Sequence, residues 1–177
     1  DPVVYQMIQR ADTVGVFQIE SRAQMSMLPR LKPENYYDLV IQIAIVRPGP
    51  IQGEMVHPYL ARRSGKEAVS YPGKAVKKVL ERTLGVPIFQ EQVMELANRV
   101  AGIPKEECNS VRKMMKPQGS SNEALTAAKA LEERFVGGCI ENGVKSHIAQ
   151  KLFDDIMLFA AYGFNKSHSV AYAYVSY

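Results

Sequence analysis

Ten prolines divide this 177-residue chain, and their positions constrain its fold more than any other feature. Proline has no backbone N–H and a fixed φ, so it suits a first helical turn and disrupts an interior one. Asp1-Pro2 reads as a cap and first residue, opening a helix to about Ala11. Pro29 should end or kink a helix that starts at Ser21. Pro33 lies near the start of the next, an apolar-rich helix running to about Val46. Arg47-Pro48-Gly49-Pro50 then forces a rigid non-helical connection. Helix resumes from Ile51 to Arg63, with a possible break at Pro58. Pro72 falls in a polar loop, and Pro87 in a short extended piece, Gly85–Phe89. Pro104 opens a helix reaching about Lys116, and Pro117 begins the most loop-like stretch.

Between these breaks the apolar residues recur at helical spacing. Further helices are expected over Lys74–Arg82, Gln90–Ala101, Glu123–Asn142 and Ser146–Ala161, with a last one after Ser167. Short strands are expected at Val14–Ile19 and around Val69. The fold class is mainly α, with two or three short β-strands.

With 46% hydrophobic and 23% charged residues, the composition suits a globular domain. No apolar run is long enough to span a membrane. Cys108 and Cys139 are too few and too far apart for a zinc site or disulfide framework, and read as buried thiols of a cytoplasmic protein. The net charge of +4 is mild, so its distribution matters more than its size. Both chain ends read as cuts from a longer protein.

The candidate chemistry is concentrated near the end, in Tyr162-Gly163-Phe164-Asn165-Lys166-Ser167-His168-Ser169-Val170-Ala171-Tyr172-Ala173-Tyr174. Gly163 interrupts a helical pattern, Asn165 and Ser167 are cap residues, and Lys166 and His168 stand at a new helix N-terminus. Free N–H groups, a cation and an imidazole there suit phosphate. Nearby aromatic faces suit a nucleobase. The alternative is a capped turn between core helices. Arg112, Lys113 and Lys116 share a second helix, where Arg112 and Lys116 occupy one face. Arg47, Arg62, Arg63, Gln90 and Gln92 are candidates for DNA contact, with helix capping or solvation as the alternative. Lys66 extends the Arg62–Arg63 cluster, and Lys74, Lys77, Lys78 and Arg82 form another basic stripe. No phosphate-binding Gly-Lys-Ser/Thr loop and no carboxylate pair suited to two metal ions is present.

Five stretches together resemble the fingers of the C-family bacterial DNA polymerases, the α subunit of DNA polymerase III. Besides the terminal segment, they are Gly15-Val16-Phe17-Gln18-Ile19-Glu20-Ser21-Arg22, Val46-Arg47-Pro48-Gly49-Pro50-Ile51-Gln52, Ile88-Phe89-Gln90-Glu91-Gln92-Val93-Met94 and Ser110-Val111-Arg112-Lys113-Met114-Met115-Lys116. The resemblance implies residues 1–20 as a palm/fingers junction and 21–177 as a helical fingers domain. It implies binding of the incoming dNTP through Arg112, Lys113, Lys116, Asn165, Lys166, His168 and Tyr172. The remaining partners would be primer-template DNA, the rest of the polymerase chain and, through other regions, a sliding clamp. Mg²⁺ would be bound by palm aspartates that this chain lacks, so the chain alone should not polymerise DNA. Lys113, Met115 and Pro117 depart from the replicative pattern. Residues 8–15 and 24–29 are similar to the error-prone paralogue, whereas 165–169 are similar to the replicative branch. A free-standing helical nucleic-acid-binding module is the rival reading.

Overall fold

A computed structural model describes the backbone of residues 1–46, 52–114, 122–160 and 163–177, and the side chains of 1–46, 58–109, 111, 125–157 and 163–177. The turn Arg47-Pro48-Gly49-Pro50 and the loop after Pro117 lie outside the described residues. The chain divides into two compact units, one formed by Asp1–Ala68 with Phe164–Tyr177 and the other by Val69–Gly163.

The first unit is built on α3 (Tyr36–Ile45), which packs against α2 (Arg22–Leu31), α4 (Gln52–Arg63) and α10 (Lys166–Ser176); α1 (Pro2–Gln9) packs on α2. Every residue of α3 from Asp38 to Ile45 is buried. An apolar sequence on nearly all sides of a helix requires this central position. Its two polar residues are both bonded. Asp38 holds Arg63 of α4, and Gln42 donates to the Gln24 side chain of α2 at 2.6 Å.

The caps follow the sequence. Asp1, Ser21, Asn35 and Asn165 each accept a backbone N–H at the start of their helices. Pro29 does not end α2 but lies inside its last turn. The helix stops at left-handed Lys32, whose N–H bonds the Leu28 carbonyl. Arg63 then donates to the carbonyls of Leu31 and Lys32, satisfying the helix end. Pro58 likewise lies within an unbroken α4.

In the second unit α6 (Gln90–Arg99) packs against α5 (Lys74–Leu80), α7 (Lys105–Met114) and α9 (Ser146–Ala160), and α8 (Asn122–Glu141) pairs with α9. Val76, Leu80, Leu96, Phe135, Cys139 and Ile156 lie in one core cluster. Both cysteines are free and buried.

The expected strands do not form among the described residues. Val14–Ile19 looks apolar and extended in sequence, but Gly15 and Gln18 both take positive φ. Two left-handed residues coil the segment into consecutive turns. Val16 N–H bonds the Thr13 carbonyl, Ile19 N–H bonds the Val16 carbonyl, and the Thr13 hydroxyl donates to the Ile19 carbonyl at 2.7 Å. Val69 is in irregular chain, and Val86–Ile88 closes a tight turn through a 3.0 Å backbone bond.

Candidate nucleotide and DNA interface

The start of α10 carries the expected cluster in a defined geometry. Asn165 is extended, and its side-chain oxygen accepts from the His168 N–H at 3.2 Å and from the Ser167 hydroxyl. Lys166 is the first helical residue and lies half-buried, with its ammonium 6.0 Å from the centre of the Tyr37 ring. That separation is at the limit of a cation–π contact. His168 is exposed, and its ring centre lies 6.0 Å from that of Tyr172. Tyr172 also meets Phe17 edge-on at 5.4 Å and Phe164 at 6.4 Å. A cation, an imidazole and an aromatic cluster thus share one helix end.

This end is fixed by the rest of the unit. The inward face of α10 consists of Ser169, Ala173 and Ser176, all small and buried. Small residues let it approach α3 closely. The Ser169 hydroxyl donates to the Val40 carbonyl, and the Tyr36 hydroxyl donates to that of Val170. The Ser176 hydroxyl donates to the Phe17 carbonyl at 2.8 Å. Phe17 and Tyr37 were not singled out in the sequence as site residues. Phe17 had a signal in the glycine-containing motif around it; Tyr37 had none, because only the tertiary fold brings it to Lys166.

Other predicted residues have local tasks. Arg63 donates to both carboxylate oxygens of Asp38 at 2.8 Å. Burial pulls its guanidinium down, but the bond and charge of Asp38 outweigh that and hold it above the usual arginine range. Burial pushes the neighbouring Tyr59 hydroxyl up to about 12, against the pull of Arg63. Arg62 pairs with Glu67 at 2.9 Å.

Gln92 is buried at the third position of α6. Its oxygen accepts from the N–H groups of Ile88 and Phe89, and its amide nitrogen donates to Val79 and Thr83. It acts as half a capping box, reaching back over the helix start. Gln90 opens α6, and its side chain would lie 3.0 Å from a Cβ at Gly163. A side chain at position 163 would crowd Gln90, whose backbone N and Cα also lie 3.3 and 3.4 Å from that Cβ. The side chains of Arg47, Arg112, Lys113 and Lys116, and Tyr162, lie outside the described residues. No group of three His, Cys, Asp or Glu that could hold a metal gathers among the described residues.

The two units are both built from helices, and the start of α10 places a lysine and an imidazole beside an aromatic cluster. The family model of the bacterial DNA polymerase III alpha subunit finger domain matches residues 1–143, and the chain belongs to that family. Over all 177 residues it is 55% identical to the error-prone DNA polymerase of Methylococcus capsulatus, 56% to that of Vibrio campbellii and 58% to that of Vibrio parahaemolyticus. It spans 16%, 17% and 17% of those proteins.

Proposed function

We propose that this chain serves as the fingers domain of a bacterial error-prone DNA polymerase, binding the incoming dNTP and covering the nascent base pair. The observation that carries the reading is the start of α10, where Lys166 and His168 stand at a capped helix end backed by Tyr172. The helix dipole favours an anion there, and the lysine adds a point charge. Tyr172, packed edge-on against Phe17, has the stiffness to bear on a base or sugar. Arg112, Lys113 and Lys116 have the residue types and the sequence spacing for phosphate. Arg47, Arg62 and Gln90 are the DNA-contact candidates, while Arg63 and Gln92 serve by holding the local backbone. Primer-template DNA and the other polymerase domains are the partners of this reading. In this reading Mg²⁺ is held by palm residues outside this chain.

The test is Lys166→Ala in the full-length polymerase, assayed by steady-state primer extension. Loss of one charge-assisted contact, worth about 1.5–3 kcal/mol, should lower kcat/KM for dNTP by roughly ten- to hundred-fold while sparing DNA affinity. Normal nucleotide use by this variant would refute the assignment.

A further inference from the structure

The second unit carries a cationic surface that the nucleotide site does not use. In α5, Val76, Val79 and Leu80 are buried in the core, while Lys74, Lys77 and Lys78 are exposed. At 3.6 residues per turn these lysines fall within about 100° of arc, opposite the buried face. Arg82, exposed in the 3-10 turn Glu81–Thr83, extends the stripe. Residues 74–83 hold four cations against one carboxylate, a net +3 within a chain whose net charge is +4.

Four arginines elsewhere are partnered, and what distinguishes α5 is the density of its exposed cations. Arg62, Arg63, Arg99 and Arg134 pair with Glu67, Asp38, Glu95 and Glu107. Lys74, Lys77 and Lys78 have no carboxylate partner among the described residues. Three ammonium groups kept together on a short, well-anchored helix repel one another, and a polyanion relieves that repulsion.

We infer that the exposed face of α5 is a docking surface for the phosphate backbone of duplex DNA. Lys74 and Lys78 are separated by about 6 Å along the helix, and duplex DNA presents one charge per roughly 1.7 Å of its axis. Lysines on flexible stems reach successive phosphates without reading bases. Single-strand binders add aromatic faces for stacking. Tyr71, the nearest aromatic in sequence, is instead packed against the core. The contact is therefore independent of sequence and favours duplex over single strand. This inference rests on the polymerase reading but concerns residues other than those assigned to the nucleotide.

The experiment compares the wild-type chain with the triple variant Lys74→Gln, Lys77→Gln, Lys78→Gln, which retains helix propensity. Lys129→Gln, Lys145→Gln, Lys151→Gln makes the same charge change at exposed positions of the same unit. Binding to a 30-base-pair duplex and to a single strand of equal length is followed by fluorescence anisotropy between about 20 and 200 mM salt. Circular dichroism checks that each variant is folded. The slope of log affinity against log salt should become shallower by about 2 to 3 in the α5 variant, since each phosphate contact contributes roughly 0.9. Duplex affinity at low salt should fall on the order of tenfold or more, equally for different sequences, and the control variant should keep most of the wild-type slope. Equal slopes for the two triple variants would overturn the inference and leave the polymerase reading intact. Failure of the wild-type chain to bind duplex at any salt would overturn both.

Discussion

Gly137 and Gly138 are neighbours in α8, and replacing each by alanine should shift stability in opposite directions. From helix propensity alone, either substitution stabilises by roughly 0.8–1.0 kcal/mol. For Gly137 nothing lies within 4 Å of the added Cβ, so the propensity gain should be expressed. At Gly138 the Cβ would lie 2.0 Å from the Ala101 carbonyl oxygen and 2.9 Å from its carbon. Both are backbone atoms in the turn between α6 and α7, so no side-chain rotation relieves the clash. Reaching even 3.0 Å requires a shift of about 1 Å in a helix whose Phe135 and Cys139 are fully buried. The same shift would stretch the 3.1 Å bond from the Asn142 amide to the Val100 carbonyl. Overpacking costs of 1–3 kcal/mol and loss of a hydrogen bond worth about 1 kcal/mol exceed the propensity gain. Gly138→Ala should therefore destabilise by roughly 1–3 kcal/mol, while Gly137→Ala stabilises by up to about 1. Urea unfolding followed by circular dichroism reads both. A midpoint for Gly138→Ala at or above wild type would refute the close approach of α8 to this turn.

Arg63→Ala should destabilise the first unit by about 2–4 kcal/mol, because Asp38 is left buried with one counter-charge fewer and the end of α2 loses two donors; a thermal melt within one degree of wild type would contradict this. Alkaline pH should also weaken the chain. Burial pushes the Cys139 thiol from 9.0 up to about 11, and the Tyr59 hydroxyl from 10.0 up to about 12. Each group favours its neutral form when folded, so its contribution is complete below the unfolded value and is lost as pH rises through the folded one. Cys139 alone should cost about 1 kcal/mol by pH 10. A urea midpoint that stays flat from pH 8 to 10.5 would count against both burials.

Local chemistry was readable in the sequence wherever a single residue decides it. Asp1-Pro2, Ser21 and Asn165 cap helices because their oxygens reach N–H groups two or three residues on. The dense apolar run of α3, preceded by Asp38 and broken only by Gln42 between Leu39 and Ile45, announced its burial. The turn segment Val14–Ile19 was misread because apolar alternation carries no information about φ, and Gln18 adopts the left-handed region without being glycine or asparagine. The partners of the site residues were not readable at all. Phe17 and Tyr172 meet edge-on although most of the chain separates them, and Gln92 looks like an interface residue until its four partners from Val79 to Phe89 surround it. A polar side chain in a family motif can be spent on the scaffold, and only its hydrogen-bond partners reveal this.

That distinction bears on how the start of α10 is positioned. A helix with small, buried Ser169, Ala173 and Ser176 on one face, and exposed Tyr174 and Val175 on another, has little apolar surface of its own to orient it. Its register on α3 comes instead from directional bonds, Ser169 to Val40 and Tyr36 to Val170, with Ser176 fastening the far end to Phe17. Hydrogen bonds fix rotation and translation where apolar packing alone tolerates sliding. Productive geometry in a binding site demands placement within about 0.5 Å. Lys166 and His168 therefore owe their positions to α3 and to the 13–19 turns as much as to Asn165. The cap makes the helix end, and the serine contacts decide where that end points.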